Sequence, residues 1–341
     1  MTVKPAFISY FSKFSRRFML LALVFMLLSF VHTTHAVMAE DNNRVIIYSS
    51  AEDYRNAHFL QRLNEQFPDY DIVIEYMPTG NSAVKLQAEG ASTPCDILLD
   101  MEYGYFPLLE NLLADISHYD QSVFMEDMRS PSGKYLPMYR NGGAVILNLD
   151  VLAQHGLREP ASYEDLLDEQ YHGFISMPNP KSSGTGYMFL KSLVNAWGED
   201  EAFDYFDALS ENILQFTSSG SGPVNALVQG EAAIGLGMTG QAVVAMNQGA
   251  NLKILYFEEG SPCSLYGYAM IEGKQHRQCV RDVFDFFYTT LVDEDKALFF
   301  PEQIYTNKQF AIPGYPTDIP YADMSGNTTE EKMRLLNDWE Y

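Results

Sequence analysis

Short apolar runs alternate with amphipathic stretches along the chain after position 40, and this pattern predicts strands and helices in turn. Strands are predicted at Arg44–Ser49, Asp71–Tyr76, Asp96–Leu99, Ala144–Asn148, Gly173–Ser176, Ala232–Gly237 and Lys253–Phe257. One helix is predicted from about residue 52 to Phe67, and another begins at Ser162. The remaining predicted helices are Ser82–Glu89, Gly186–Trp197, Glu201–Leu209, Val224–Val228, Gln241–Asn247, Cys279–Leu291 and Thr328–Tyr341. Such alternation is typical of parallel sheets with helical crossovers, whose ligands lie at the carboxyl ends of the strands.

The elements fall into two series, which predicts an α/β protein with two lobes, each a mostly parallel sheet flanked by helices. Two segments are predicted to cross between the lobes, Tyr139–Asn148 and Phe257–Ala269. We expect lobe 1 to contain residues 40–140 and about 259–310, and lobe 2 to contain residues 141–258 and about 311–341. A cleft between lobes is a common place for a small-molecule site.

The first 39 residues have the pattern of a secretory signal peptide. Basic residues such as Arg17 precede an apolar run from Phe18 to Val31, and the small residues Val37 and Ala39 follow it. The run is shorter than the roughly 20 apolar residues that span a bilayer, which disfavours a membrane anchor. We therefore expect cleavage after residue 39 and a soluble, monomeric protein in the periplasm.

The charge of the chain narrows its possible partners. Its 341 residues include 45 acidic and 22 basic side chains, for a net charge of −23. Nucleic acid is a poor partner, because phosphate backbones are bound by clustered Lys and Arg. With three cysteines a disulfide scaffold is excluded; Cys95 is expected to be a buried thiol, and pairing of Cys263 with Cys279 stays open.

Small and hydroxyl-bearing residues stand between strands and helices at four places. Met177–Tyr187 (MPNPKSSGTGY) is the most informative, because its small residues let a ligand approach the amides of the following helix N-terminus, and Lys181 adds charge. An ordinary capped helix start is the alternative. Similar junctions occur at Ser49–Ser50, Thr79–Asn81 and Ser218–Pro223 (SSGSGP), so all four are predicted to converge on one anion site. Candidate walls of the cleft are Tyr103, Tyr105, Tyr139, Tyr187 and Tyr266.

Motifs typical of enzymes are weak or missing. Gly235–Gly240 (GLGMTG) matches the G-x-G-x-x-G pattern of dinucleotide-binding folds, and Glu258 and Glu259 follow at a suitable distance. An exported protein has little access to dinucleotides, so a glycine-rich strand end beside a smaller ligand is the favoured interpretation. The chain contains neither G-x-S-x-G nor H-E-x-x-H, and we predict a binding protein without a cofactor.

Seven segments together resemble the periplasmic solute-binding proteins of ABC importers. They are RVIIYSSAEDY, PTGNSAVKLQAEG, CDILLDMEYGY, YRNGGAVILNLDVL, SMPNPKSSGTGYMFL, VQGEAAIGLGMTGQA and YFEEGSPCSLYGYAMIEG. The resemblance covers essentially all of the mature chain and is greatest to the branch of ferric-iron, phosphonate, sugar-phosphate and thiamine binders. It implies two lobes that close on a ligand and an inner-membrane permease as partner.

The resemblance also implies which residues contact the ligand. From the first lobe these are Ser49, Ser50, Thr79, Gly80 and Asn81, and from the second Ser182, Ser183, Gly184, Thr185, Gly186, Thr239, Gln241 and Glu259. Arg140, at the first predicted crossing, is a further candidate that follows from its charge and position.

One departure from the family bears on the ligand. Ferric-iron members use two adjacent tyrosines shortly after the strand that follows the GEA motif, where this chain has Met238, Thr239 and Gly240 and contains no Tyr-Tyr pair. Iron(III) prefers anionic oxygen ligands, which disfavours a ferric site here. We therefore predict a small anionic solute, phosphorylated, phosphonate or carboxylate. A ferric-iron binder, or an exported enzyme that uses the anion pocket, is the alternative.

Overall fold

The computed structural model of the protein describes residues 43–341. The predicted signal peptide, residues 1–39, lies outside this range. None of the helices in the described range combines the length and hydropathy required to cross a bilayer. The fold is a mixed α/β structure, as the alternating pattern predicts.

The elements follow one another in the predicted order. The first part of the chain forms β1 (Arg44–Ser49), α1 (Asp53–Gln66), β2 (Asp71–Tyr76), α2 (Thr79–Glu89), β3 (Ile97–Glu102), α3 (Phe106–Leu109), β4 (Leu136–Asn148) and α4 (Leu149–His155). The middle forms β5 (Ile175–Pro178), α5 (Gly184–Trp197), α6 (Glu199–Ser210), β6 (Ile213–Thr217), α7 (Gly222–Gln229), β7 (Ile234–Met238), α8 (Thr239–Asn247) and β8 (Leu252–Leu255). The last part forms β9 (Cys263–Met270), α9 (Gln278–Phe286), α10 (Val292–Leu298) and α11 (Thr329–Asp338), with a π-helical turn at Phe287–Leu291 before α10.

The nine strands of the described range form one connected sheet in the order β2-β1-β3-β9-β4-β7-β5-β6, and β8 pairs with β4. Strand β1 is parallel to β2 and β3, and β5 is parallel to β6 and β7. Strand β9 is antiparallel to both of its neighbours, and β4 is antiparallel to β7. Each end of the sheet is thus parallel, as predicted, and the antiparallel strands lie where the two halves meet.

Strand β4 carries the chain from one half of the sheet to the other. Its first part, to Gly142, pairs with β9, whereas its second part, from Gly143, pairs with β7 and β8. The return connection runs beside it, because the Ser261 hydroxyl donates to the Gly143 carbonyl at 2.6 Å. A Cβ on Gly143 would lie 2.8 Å from Pro262, so this close passage of the two crossing segments requires glycine.

Separate hydrophobic cores divide the molecule into lobes. The larger core of lobe 1 includes Val45, Phe59, Ile97, Tyr268 and Phe284, and that of lobe 2 includes Leu147, Ile175, Phe189, Ile234 and Trp339. Residues from β9 to Tyr305 therefore pack on the first core, and the C-terminal helix α11 packs on the second. This interleaving places a cleft between the lobes at the carboxyl ends of the parallel strands.

Several local predictions differ from the structure. The helix predicted from Ser162 is only a 3₁₀ turn at Glu164–Leu167. The Asp165 side chain accepts a hydrogen bond from the Ala161 amide, and this local bond competes with a longer helix. Strand β6 was missed, because it is a half-exposed edge strand without a continuous apolar run. Cys95 is buried as expected, and Cys263 and Cys279 are not joined by a disulfide.

Candidate ligand-binding site

A cavity lies between the lobes at the carboxyl ends of β1, β3, β5 and β7. It is a narrow space that opens to solvent. Its walls are Ser50, Glu52, Tyr76, Pro78, Thr79 and Asp100 from lobe 1, Ser183, Gly184, Thr185, Gly220, Ser221 and Met238 from lobe 2, and Tyr139 and Tyr266 from the crossing strands. Both lobes thus contribute polar side chains to one narrow cleft.

The two lobes touch beside the cavity. The Gly80 amide donates to the Ser182 carbonyl at 3.3 Å, and the Gly184 amide donates to Thr79 Oγ1 at 3.1 Å. A Cβ on Gly80 would lie 2.6 Å from the Lys181 carbonyl oxygen, so a larger residue would hold the lobes apart. The structure is therefore a closed arrangement of the two lobes.

The lobe 2 side of the cavity consists of two helix N-termini and the loops before them. Helix α5 is capped by Ser183, whose hydroxyl accepts from the Gly186 amide at 3.4 Å, and α7 begins directly after Ser221. The two loops are in contact, because a Cβ on Gly220 would lie 2.3 Å from Thr185 Oγ1. Amides and hydroxyls at paired helix N-termini attract an anion through the helix dipole and direct hydrogen bonds.

The lobe 1 side contains a buried network of charges around Arg55. Its guanidinium donates to both carboxylate oxygens of Asp295, at 2.7 and 2.9 Å. The same side chain donates through Nη1 to Glu52 at 3.0 Å and to Asp100 at 3.1 Å. The Tyr139 ring covers the guanidinium, with 4.5 Å between Arg55 Cζ and the ring centroid. The carboxylates of Glu52 and Asp100 are thereby fixed in the cavity wall.

Asp100 is held there by an unusual backbone. It has a φ of 61°, and among residues 43–341 it is the only residue other than glycine with a positive φ. The pairing of β3 with β9 shifts register between Leu98 and Met101, which is a bulge around this residue. Bulges and strained residues cluster at functional sites because they redirect side chains. Desolvation by burial raises the pKa of Asp100 to about 7, although Arg55 acts in the opposite direction.

Seven of the predicted contacts meet at the cavity or its edge. Ser50, Thr79, Ser183, Gly184 and Thr185 line it, and Gly80 and Ser182 form the contact between the lobes. Three neighbours face elsewhere. Ser49 is buried against Asn56, at 2.7 Å, Asn81 is exposed, and a Cβ on Gly186 would lie 2.4 Å from the Pro178 carbonyl oxygen beneath the helix.

Arg140 lies away from the cavity, contrary to the prediction. Successive residues of a strand point to opposite faces, so Tyr139 enters the cavity wall and Arg140 turns to the other side of β4. There it pairs with Asp127 at 3.3 Å and covers the Tyr321 ring. Its charge is therefore not available to a ligand in this cavity.

The three predicted contacts after β7 also lie outside the cavity wall. Thr239 Oγ1 is 3.2 Å from the Tyr256 hydroxyl, and Glu259 accepts from the Trp197 indole at 3.1 Å. Gln241 donates to the Ser221 carbonyl at 3.2 Å and so braces a loop that does line the cavity. These residues stabilise lobe 2 without lining the cavity in which a ligand would bind.

The sequence reasoning missed the two carboxylates. Glu52 and Asp100 each stand just after a predicted strand, which is the signal that identified the neighbouring hydroxyl residues. Tyr139 and Tyr266 were among the candidate walls and do line the cavity, whereas Tyr76 and Met238 were not singled out for it.

The GLGMTG segment serves packing. Gly235 and Gly237 lie within β7, where added Cβ atoms would come within 3.0 Å of Leu227 and Val224 of α7. A Cβ on Gly240 would lie 2.4 Å from the Phe300 ring. The glycines therefore allow close contacts inside the protein, and the structure gives no support to a dinucleotide site.

Within residues 43–341, no group of three or more His, Cys, Asp or Glu side chains is arranged to hold a metal ion.

Comparison with known proteins decides the family. Residues 70–310 match the model of the bacterial extracellular solute-binding proteins. The chain belongs to this family. Its members bind solutes, and the resemblance inferred from the sequence segments is confirmed.

Individual relatives agree with this assignment. An uncharacterized protein of Haemophilus influenzae is 28% identical over 251 residues, which are 70% of each chain. The phosphoglycerate transport regulatory protein PgtC of Salmonella typhimurium is 24% identical over 136 residues, which are 40% of this chain and 34% of PgtC. The match thus spans about a third of that protein.

A solved structure shows the same fold. The periplasmic binding protein AfuA of Actinobacillus pleuropneumoniae, with fructose 6-phosphate bound, superposes with a TM-score of 0.75 at 24% identity. The superposition covers 87% of this chain and 97% of AfuA. The prediction of a two-lobed α/β binding-protein fold is therefore confirmed.

Proposed function

We propose that this protein captures a small solute bearing a phosphate, phosphonate or carboxylate group between its lobes and delivers it to an inner-membrane ABC permease. It acts in the periplasm as a monomer after removal of residues 1–39. Lobe 1 then comprises residues up to 140 and about 259–310, and lobe 2 comprises residues 141–258 and about 311–341.

The observation that carries this proposal is the convergence of two helix N-termini on one closed cavity. Ser183, Gly184 and Thr185 at α5 and Gly220 and Ser221 at α7 present small side chains and hydroxyls beside backbone amides. A tetrahedral oxyanion can accept several hydrogen bonds at once from such a surface. The names of PgtC and of the AfuA complex both include a phosphorylated compound, which agrees with this chemistry.

Capture depends on closure of the lobes. Because lining residues come from both lobes, a ligand gains its full set of contacts only in the closed arrangement. Its preference for that arrangement shifts the population of the protein toward closure. The Gly80–Ser182 and Thr79–Gly184 hydrogen bonds then add to closure without contacting the ligand.

Calorimetric titration of the mature protein with inorganic phosphate, 3-phosphoglycerate, a hexose 6-phosphate, 2-aminoethylphosphonate and ferric citrate tests this function. We expect at least one phosphorylated or phosphonate compound to bind, and Ser183→Ala to weaken that binding about tenfold, the effect of losing one hydrogen bond to a charged group. Ser92→Ala, at an exposed serine of lobe 1, is the control and should bind as the parent does. Binding of iron without an organic anion, or equal binding by Ser183→Ala, would contradict the proposal.

A further inference from the structure

Asn141 lies just behind the cavity wall, where β4 crosses from lobe 1 to lobe 2. Its side chain is fully buried and shares a face of the strand with that of Tyr139, which lines the cavity. Asn141 Nδ2 donates to Thr185 Oγ1 at 3.3 Å, and Thr185 lines the cavity from the N-terminus of α5. Asn141 therefore connects a crossing strand directly to a hydroxyl-bearing residue of the cavity wall.

The other polar atom of this side chain has no partner. Asn141 Oδ1 is buried, and none of residues 43–341 donates a hydrogen bond to it. A buried acceptor without a donor lowers stability, and an apolar side chain of similar size would avoid that cost. The unpaired oxygen indicates that the side chain contributes through its NH₂ group and not through a gain in stability.

The direction of this hydrogen bond determines what the Thr185 hydroxyl can do. A hydroxyl has one proton to donate and two lone pairs that accept. Because Thr185 Oγ1 accepts from Asn141, its own proton remains available to a ligand in the cavity. A carboxylate in place of the Asn141 amide would instead take that proton and leave the lone pairs of Thr185 to face the ligand.

Two further hydroxyls of the cavity wall are held in the same way. Ser183 Oγ accepts from the Gly186 amide at 3.4 Å, and Thr79 Oγ1 accepts from the Gly184 amide at 3.1 Å. Each of these hydroxyls therefore also keeps its proton for the cavity. Their donors are backbone amides, whereas the donor to Thr185 is a side chain and can be substituted.

We propose that Asn141 is a positioning residue, which holds the Thr185 hydroxyl as a donor to the oxyanion of the solute without contacting the solute itself. Together with Ser183 and Thr79, Thr185 then presents protons to an oxyanion, which has only acceptors to offer. This inference rests on the proposed function, because it assumes that an oxyanion binds beside Thr185.

A double-mutant cycle tests this role, with inorganic phosphate and 3-phosphoglycerate as probes in titration calorimetry of the mature protein. Asn141→Leu should weaken their binding about fivefold, the effect of one hydrogen bond. Thr185→Val should weaken it about tenfold, because the lost bond is to a charged group. Asn141→Leu should cause no further loss in the Thr185→Val background, because Asn141 acts through that hydroxyl.

Thermal melting of the same proteins separates positioning from a structural role. Asn141→Leu should leave the melting temperature unchanged or raise it, because it removes the unpaired oxygen. Asn212→Leu is the matched control, since Asn212 is also buried but donates to the Leu166 and Asp168 carbonyls at 2.8 and 3.0 Å, away from the cavity. It should lower the melting temperature and leave binding unchanged.

The outcomes separate this inference from the proposed function. If the probes bind but Asn141→Leu weakens binding equally in both backgrounds, or in neither, the inference is overturned and the proposed function stands. A lower melting temperature with unchanged affinity would likewise overturn the inference. If the parent binds neither probe, the inference is overturned, and the other compounds of the panel decide the proposed function.

A second variant replaces Asn141→Leu if that protein does not fold. Asn141→Asp exchanges the donor for an acceptor of the same shape, so its added charge repels the probes in both backgrounds. The loss of affinity should still be greater in the parent background, where a hydroxyl is present to be reversed, than in Thr185→Val. Equal losses in the two backgrounds would overturn the inference.

Discussion

The two faces of the cleft are built from different chemistry. The lobe 1 face places Glu52 and Asp100 in a buried network of formal charges, whereas the lobe 2 face offers glycines, hydroxyls and backbone amides. The lobe 2 face keeps its shape through short contacts that glycine permits, such as that of Gly220 with Thr185. The lobe 1 face needs Arg55 to hold its carboxylates.

This difference indicates a division of tasks between the lobes. Burying charges is expensive, and a buried ion network stabilises a fold little compared with apolar packing of equal volume. A protein that keeps such a network in its cleft obtains a fixed electrostatic environment for a ligand instead. The uncharged face is the one proposed to accept the anion, and the charged face gives the opposite wall of the cleft a fixed shape.

The largest expected effect comes from removing the centre of the lobe 1 network. Arg55→Ala leaves Glu52, Asp100 and Asp295 buried without their partner, which should lower the free energy of unfolding by about 3–5 kcal/mol. Urea denaturation measures this change. Arg62→Ala, on the same helix but at the surface, should cost less than about 1 kcal/mol. Equal effects of the two substitutions would show that the network is not structurally required.

A second buried cation tests whether the stability cost of losing a buried charge partner is specific to the cleft. Lys332 of α11 forms a fully buried ion pair with Glu102 of lobe 1 and lies 3.8 Å from the centroid of the Tyr105 ring. Lys332→Met should lower the free energy of unfolding by about 2–4 kcal/mol, since Ser264 still donates to Glu102. Urea denaturation measures this change. A loss below about 1 kcal/mol would show that this buried pair is not structurally required.

A smaller effect is expected from altering the shape of the lobe 2 face. In Gly184→Ala the added methyl group would lie 2.5 Å from the Tyr266 hydroxyl, so the lobes could not close fully. We expect roughly tenfold weaker binding, about 1.4 kcal/mol, with little change in the melting temperature. Titration calorimetry and thermal melting of the same sample provide the two readings. Unchanged affinity would indicate that the oxyanion binds elsewhere.

The smallest effect concerns the protonation of Asp100, which is faced by Glu52 and Arg55 of the α1 region, Asp295 of α10 and Tyr139 of β4. Its pKa in the folded protein, about 7, exceeds its ordinary value of 3.8, so the native state binds more protons than the unfolded state between these values. This contribution to stability is full below pH 4 and is lost as the pH rises through 7.

Asp100→Asn should therefore raise stability at pH 7 relative to the parent by about 1 kcal/mol more than it does at pH 6. Denaturation curves of both proteins at the two pH values measure the difference. The opposite slope would show that Arg55 lowers the pKa of Asp100 more than burial raises it.

The parts of the fold and site that depend on neighbouring residues were predictable from the sequence. Ser50, Thr79 and Ser183 were identified because each follows a strand and precedes a helix, which is a local pattern. The interleaved lobes followed from the two series of elements and their crossing segments.

Features that depend on distant contacts could not be predicted in this way. The positions of the Glu52 and Asp100 carboxylates in the cavity wall depend on Arg55 and on Asp295. Asp295 lies 240 residues further along the chain than Arg55. Arg140 was misplaced because the face to which a strand residue points depends on the register of β4, which the crossing pattern alone does not determine.

The most direct test of the central claim is mass spectrometry of the small molecules released when the protein, purified from its native periplasm, is denatured. We predict one compound, present in about equal amount to the protein, that carries a phosphate, phosphonate or carboxylate group. The same preparation of Gly184→Ala should release much less of it. Release of a metal ion or of an uncharged solute in that amount, or no difference between the two proteins, would contradict the account.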